Sequence, residues 1–184
     1  KDDESHYSEE KRFPAPKQQK IDRFNYPYVD VGAYEANMVD VYNDFFAFKS
    51  DQKGTLLERI QRVNPHIANI EISLDSEMPF LKVHDSSVRK AVPLAYLGEG
   101  DIKLIRVLME IISRPGQRLM IDEIDSGNHY SRMEKFWKVI LQAANVYNVQ
   151  LFITTHNIEF IQYLAKDVDK EENKAKFLKY ELYV

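Results

Sequence analysis

Residues 118–131 read RLMIDEIDSGNHYS, and residues 150–157 read QLFITTHN. In both stretches a short hydrophobic run of strand length leads directly into polar residues. Between the two stretches, apolar residues recur at the spacing of an amphipathic helix over Ser131 to Tyr147, namely Met133, Phe136, Trp137, Ile140, Leu141, Ala144 and Tyr147. A strand, a helix and a strand in this order predict a right-handed crossover unit with parallel strands, and therefore an α/β fold.

Polar residues fall at the carboxyl ends of both predicted strands, which is where parallel sheets gather their ligands. Asp122 and Glu123 follow the first strand, and His156 follows the second. Adjacent carboxylates at such an edge suit a divalent metal and the activation of a water molecule. A histidine there could donate a hydrogen bond to a phosphate or to the water. Structural alternatives stay open, in which the two acids merely begin the following loop, or in which Asp125 and Ser126 cap a helix.

A third stretch, LGEG at residues 97–100, immediately precedes a predicted helix from Ile102 to Ile112. Glycines permit close backbone approach, and the free N–H groups at a helix start attract an anion. The alternative is an ordinary strand-to-helix turn. Because Glu99 stands between the two glycines, an anion site here requires a metal or a lysine to offset the acidic charge.

The remaining periodicity predicts a lead-in over residues 1–28, flexible or extended, followed by two helices, at Tyr34–Phe48 and Thr55–Val63. Short apolar runs at residues 70–74, 80–83 and 91–94 predict a small antiparallel sheet. Beyond the QLFITTHN stretch, a helix is expected over Ile158–Ala165 and a strand over Phe177–Val184.

Composition excludes several classes of protein. The 184 residues carry a net charge of −4 and no cysteine, and 44% of them are apolar. These values exclude a disulfide scaffold, thiolate zinc sites and a uniformly basic nucleic-acid binder, and they fit a cytoplasmic location away from membranes. The six glycines provide no GxxxxGK[ST] phosphate loop. Because the first residue is Lys rather than Met, we expect a fragment or a processed chain.

Three stretches taken together, PLAYLGEG (93–100), RLMIDEIDSGNHYS (118–131) and FITTHN (152–157), resemble the carboxy-terminal half of an ABC-type P-loop ATPase. Within that class the chain is most similar to AAA-family ATPases related to the OLD and RecF proteins. The resemblance extends from about Val29 to Val184. It implies the carboxy-terminal lobe of a P-loop NTPase over residues 91–184, without its Walker A half, and a helical and antiparallel insertion over residues 29–90.

The resemblance also implies roles at the strand ends. Asp122 corresponds to the Walker B aspartate, which holds Mg²⁺ through its water shell. Glu123 corresponds to the catalytic glutamate that polarises the attacking water. His156 corresponds to the switch histidine that senses the γ-phosphate of ATP, and Thr155 lies beside it.

Two further segments acquire roles from the same resemblance. Gly98, Glu99 and Gly100 correspond to the signature element, which caps ATP held by the opposite subunit. Gly127, Asn128 and His129 correspond to the D-loop at the dimer interface. ATP and Mg²⁺ are thus the implied cofactors and a second copy of the chain the implied partner, whereas DNA, a nuclease partner and a role in DNA repair or phage defence follow by analogy alone.

Two other interpretations of the sequence remain. A metal-dependent phosphohydrolase or nuclease could use Asp122, Glu123, Asp125, His129 and His156 around one or two ions. Alternatively, the chain could be a structural dimerisation module with a degenerate site. The ATPase interpretation predicts that the present chain is inactive alone, because it lacks Walker A.

Overall fold

A computed structural model describes residues 28–29, 37–47, 49–74, 78–88 and 90–168. In chain order the elements are β1 (Tyr28–Val29), α1 (Asn37–Tyr42), a π-helical turn (Asn43–Ala47), α2 (Ser50–Gln61), β2 (Ile67–Ser73), β3 (Phe80–Asp85), β4 (Val92–Pro93), a 3-10 turn (Leu94–Tyr96), α3 (Glu99–Ser113), β5 (Arg118–Ile121), α4 (Tyr130–Val146), β6 (Gln150–Ile153) and α5 (Ile158–Val168).

The predicted parallel sheet is confirmed. Its strand order is β1-β5-β6, and both pairings are parallel. Side chains alternate between the two faces of the strands. Leu119 and Ile121 of β5 are buried in the core, whereas Met120 lies on the opposite face beside Tyr28 and Phe152 and is partly exposed.

Helix α4 makes the crossover between β5 and β6 and begins one residue before its predicted start. Its apolar stripe is buried, as the helical spacing predicted. Trp137 packs edge-to-face on Phe160, with the ring centroids 4.8 Å apart, and thereby joins α4 to α5.

Helix α3 lies at the centre of the fold and is buried on all sides from Gly100 to Ser113. It starts at Glu99, three residues earlier than predicted, with Gly98 in extended conformation as its N-cap. Gly100 therefore belongs to the first helical turn rather than to a loop. Glu99 and Asp101 both lie in this turn, where the helix dipole favours acidic side chains.

The second sheet is antiparallel with the order β2-β3-β4, as predicted, although β2 starts three residues earlier than the apolar run and β3 ends two residues later. Tyr42, at the end of α1, donates its hydroxyl hydrogen to the carbonyl of Ile70 in β2. This contact joins the first helix to the sheet. The second predicted helix also starts earlier than expected, at Ser50.

Some predictions fall outside the described residues, namely the lead-in before Tyr28, the helix ends at Tyr34 and Phe48, and the strand over Phe177–Val184. Within the described part of the chain, every helix is too short or too polar to cross a membrane.

Candidate functional site

The parallel pairing brings the predicted strand-end residues together. Hydrogen bonds continue past the ends of the strands, because Asp122 N–H donates to the Val29 carbonyl at 2.9 Å and Thr154 N–H donates to the Ile121 carbonyl at 3.0 Å. His156 Nε2 consequently lies 3.6 Å from Glu123 Oε1. The His156 side chain is 89% exposed, so it is accessible to a bound phosphate.

The Asp122 carboxylate is held by two hydroxyl groups. Thr154 Oγ1 donates to Oδ1, and the Tyr28 hydroxyl donates to Oδ2 at 3.3 Å. The hydrogen bond from Thr154 is the main cause that holds the pKa of Asp122 below its ordinary value. An ionised, oriented carboxylate with a side open to solvent is the oxygen ligand that suits Mg²⁺, which keeps several of its own waters.

Glu123 occupies an uncommon backbone conformation with φ of 42°. Its N–H donates to Thr154 Oγ1 at 2.9 Å, and its carbonyl accepts from Lys103 Nζ at 2.6 Å and from Ser126 N–H at 2.9 Å. The backbone on both sides of the residue is thus fixed. The carboxylate itself remains partly exposed, at 39%.

Lys103 reaches the site from within α3 and is completely buried. Besides Glu123, its Nζ donates to the carbonyl of Asp122 at 2.9 Å. Burial lowers the pKa of Lys103, and the neighbouring carboxylates, of which Glu99 has the largest effect, oppose that shift. The charge of Lys103 is thus partly compensated by Glu99, one helical turn before it in α3.

Thr155 points toward the loop after β5 rather than toward solvent. Its Oγ1 donates to Asp125 Oδ1 at 2.5 Å. The next residue but one, Asn157, accepts hydrogen bonds at Oδ1 from the N–H groups of Glu159 and Phe160, at 2.9 and 3.2 Å, and so stabilises the start of α5. The hydrogen bond between Thr155 and Asp125 links the segment after β6 to the loop after β5.

The start of α3 and the loop after β5 pack without spare room. A Cβ on Gly100 would lie 2.6 Å from Asn128 Oδ1 and 2.7 Å from the Gly127 carbonyl oxygen. Gly127, at φ of 73°, faces Glu99 in the same way, and its own Cβ would lie 2.7 Å from Glu99 Cβ. The two glycine-bearing segments therefore form one unit within a single chain. Gly98, by contrast, has open space where a Cβ would lie, with no contacting atom within 4 Å.

The N-cap of α4 is His129, whose Nδ1 accepts from Ser131 N–H at 3.3 Å. The alternative in which Asp125 and Ser126 cap this helix is therefore wrong. The ring of His129 packs on Tyr130, with centroids 4.2 Å apart. Across the described ranges, His, Asp and Glu side chains form no group of three or more that could hold a metal directly.

Three contributors to the site were missed by sequence reasoning, namely Tyr28, Lys103 and Thr154. Lys103 carried a usable signal, because a lysine that interrupts an apolar helix must find partners in the interior. Thr154 directly follows an apolar run, and nothing in that run distinguishes it from a residue of the strand. Tyr28 lies ninety-four positions from Asp122, and only the strand pairing brings them together.

Comparison with known proteins identifies the family of this chain. The model of the family described as "AAA domain, putative AbiEii toxin, Type IV TA system" matches residues 8–162. The chain therefore belongs to this family of AAA domains. The described residues form an α/β fold with a parallel sheet, as expected for the lobe of a P-loop NTPase.

Two individual proteins match this chain over part of their length. An ATP/GTP phosphatase of Helicobacter pylori is 25% identical over 146 residues, which cover 78% of this chain and 38% of that protein. An uncharacterized protein of Methanocaldococcus jannaschii is 34% identical over 76 residues, which cover 41% of this chain and 66% of that protein. The chain thus spans less than two thirds of the length of either relative.

Solved structures align loosely. An SMC head bound to the C-winged helix domain of ScpA covers 71% of this chain at a TM-score of 0.49 and 11% identity, and 41% of that structure is matched. The SMC head domain from Thermotoga maritima covers 74% of this chain at a TM-score of 0.44 and 16% identity, with 46% of that structure matched.

Proposed function

We propose that this chain is the carboxy-terminal part of an ATP-hydrolysing, ABC-type protein that forms a head-to-tail homodimer around two nucleotides. The observation that carries the proposal is the meeting of Asp122, Glu123 and His156 at one edge of the parallel sheet, with Glu123 Oε1 and His156 Nε2 only 3.6 Å apart. Asp122 would hold Mg²⁺ through its water shell, and the ion supplies charge stabilisation to the phosphates of ATP.

Protein residues activate the water, bind the γ-phosphate and position the carboxylates. Glu123 accepts a proton from the attacking water at its carboxylate, which requires an ionised group within hydrogen-bonding reach of that water. His156, exposed beside it, donates a hydrogen bond to the γ-phosphate. Thr154 keeps the Asp122 carboxylate and the Glu123 N–H in fixed relation, because its one hydroxyl bonds to both.

The dimer is inferred from the glycine-bearing segments. Gly98, Glu99 and Gly100 would cap the nucleotide of the partner subunit with the free N–H groups of α3, and Lys103 would offset the charge of Glu99. Residues 127–129 would lie in the interface. Both polar atoms of the Asn128 side chain are buried without a hydrogen-bond partner among the described residues, and an unsatisfied buried amide of this kind calls for an explanation such as a functional role.

A phosphate-gripping loop must complete the site. We propose that the full-length protein carries a strand and a GxxxxGK[ST] segment before Lys1. DNA as a ligand, a nuclease partner, and a role in DNA repair or phage defence remain proposals by analogy.

The experiment is ATP hydrolysis by the purified full-length protein, with and without Mg²⁺. We expect Mg²⁺-dependent release of phosphate from ATP, and its loss by at least about 100-fold in Asp122→Asn, because the metal ligand is weakened. Phosphodiester cleavage without added nucleotide would favour the phosphohydrolase alternative. A protein that lacks both activities would favour the structural module.

A further inference from the structure

Lys103 is a buried cation whose contacts are made with backbone atoms. It lies in the interior of α3 with no exposed surface, and its Nζ donates to the consecutive carbonyls of Asp122 and Glu123, at 2.9 and 2.6 Å. Burial of an ammonium group is unfavourable unless several hydrogen bonds and charges compensate it. Stability alone does not require such a group, since well-packed apolar side chains of similar volume often replace buried ionic groups at little or no cost.

The accepting carbonyls belong to the point where the chain turns after β5. Glu123 is at φ of 42°, a left-handed conformation that is unfavourable for a residue with a side chain. Lys103 stabilises this conformation by donating to the Glu123 carbonyl. On the side of β6, Thr154 Oγ1 stabilises it by accepting from the Glu123 N–H at 2.9 Å. The direction in which the Glu123 carboxylate leaves the backbone therefore depends on Lys103.

The same lysine is one helical turn from the start of α3. Glu99 and Gly100 form that start, and they pack directly on Gly127 with no space for a methyl group. The start of α3 is thus connected to the Glu123 backbone through one helical turn and the Lys103 side chain. A displacement of the helix end must move Nζ or break its hydrogen bonds.

We propose that Lys103 is a positioning residue for hydrolysis, which fixes the Glu123 backbone and makes its geometry depend on the position of the first turn of α3. In the dimer that turn closes over the nucleotide of the partner subunit. Closure on one nucleotide would thereby align the water-activating carboxylate for the other. This inference rests on the proposed ATPase function and adds a means of regulation to it.

The test compares variants of the full-length protein in ATP hydrolysis. Lys103→Met keeps the volume but removes the donors, and Lys103→Arg keeps charge and donors. Glu110→Met is the matched control, because Glu110 is also buried in α3, about two turns further along, and its carboxylate accepts from Arg114 Nε at 2.8 Å near the opposite end of the helix. The melting temperature of each variant is measured first. KM for ATP and kcat are then measured at a temperature well below the lowest of these values.

For Lys103→Met we expect kcat to fall by about 10- to 100-fold and KM to change by less than about threefold. Losses of this size are typical when a residue that orients a functional group by hydrogen bonds is removed. Lys103→Arg should recover at least part of kcat. Glu110→Met should leave kcat within about threefold of wild type, because its ion pair with Arg114 lies at the other end of α3 from Glu123. ATP-dependent dimers should still form when Lys103→Met is combined with Glu123→Gln.

If Lys103→Met does not fold, Lys103→Gln is judged by the same criterion, because its amide still satisfies one carbonyl but is too short to span both. A kcat within threefold of wild type in either variant would overturn the positioning role and leave the ATPase proposal intact. A fall in kcat no larger than that of Glu110→Met, at a comparable loss of stability, would assign Lys103 to folding alone, which also overturns the positioning role. A wild-type protein without ATPase activity would overturn the proposed function and this inference together.

Discussion

Gly100 and Asn128 are in such close contact that a methyl group on Gly100 would lie 2.6 Å from Asn128 Oδ1. The first residue belongs to the start of α3 and the second to the loop between β5 and α4. These segments, twenty-eight positions apart, therefore pack as one unit. In the proposed dimer the unit contains both the element that caps the partner's nucleotide and the loop at the interface.

Gly100→Ala is expected to destabilise the protein, although alanine is the better helix former. The new methyl group would overlap an Asn128 side-chain oxygen and the Gly127 carbonyl oxygen, and the resulting displacement should cost about 1–3 kcal/mol. Unfolding in urea measures the change. Gly98→Ala is the control, because Gly98 has free space around it, and its stability should differ from wild type by less than about 0.5 kcal/mol. Equal effects of the two substitutions would contradict the packing.

Thr154 should affect catalysis through its hydroxyl alone. Thr154→Val keeps the shape of the side chain but removes the bonds to Asp122 and to the Glu123 N–H, so kcat should fall by about 10- to 100-fold. Thr154→Ser keeps the hydroxyl and should stay within about threefold of wild type. Steady-state ATP hydrolysis by the full-length protein provides the comparison. Equal activity of the valine and serine variants would show that the hydroxyl has no part in the site.

Tyr42 should make stability decline in alkali. Burial, together with the charge of Glu71, raises the pKa of Tyr42 from 10.0 to about 12. Below pH 10.0 both the folded and unfolded states hold the proton, and the full contribution of Tyr42 to stability is present. As the pH rises from 10.0 toward 12, the unfolded state loses the proton first, so stability decreases.

Tyr42→Phe removes this dependence and also leaves the Ile70 carbonyl without its donor. The variant should be about 1–2 kcal/mol less stable than wild type below pH 10.0, and the difference should shrink as the pH approaches 12. Denaturant unfolding at several pH values measures both curves. A difference that stays constant across this interval would exclude the raised pKa of Tyr42.

Arg132 compensates a charge in the interior. It forms an ion pair with Asp101, which is 8% exposed and also accepts from Asn64 Nδ2 at 3.1 Å. Arg132→Met should therefore destabilise the protein by about 2–4 kcal/mol, because a buried carboxylate loses its partner. Lys138→Met, on the same helix, breaks an exposed pair with Glu134 and should cost less than about 0.5 kcal/mol. Similar losses in the two variants would refute this ranking.

Most of the fold could be predicted from the sequence where periodicity is strong. The stripe of α4 and the hydrophobic runs of β5 and β6 have unambiguous periods, and their parallel pairing is confirmed. The start of α3 was predicted too late, because glycines usually mark a turn. Here the burial of the whole helix outweighs the low helix propensity of Gly100.

The site was predictable only in part. Asp122, Glu123 and His156 come together because parallel strands place their ends at one edge, which a pattern of residues can indicate. The contacts of Lys103 and Tyr28 depend on how a helix and a distant strand pack on that edge. Such contacts leave no periodic signal, since a single buried polar residue in an apolar run fits many partners.

The most direct test of the central claim is the Glu123→Gln substitution in the full-length protein, with the protein incubated with ATP and Mg²⁺ and its mass and bound nucleotide measured. The amide keeps the size of the side chain but cannot accept the proton of the attacking water. We predict a stable dimer that retains unhydrolysed ATP, together with a loss of hydrolysis by at least about 100-fold. Hydrolysis at the wild-type rate, or a monomer without bound nucleotide, would contradict the assignment of Glu123 as the water-activating residue of an ATP-dependent dimer.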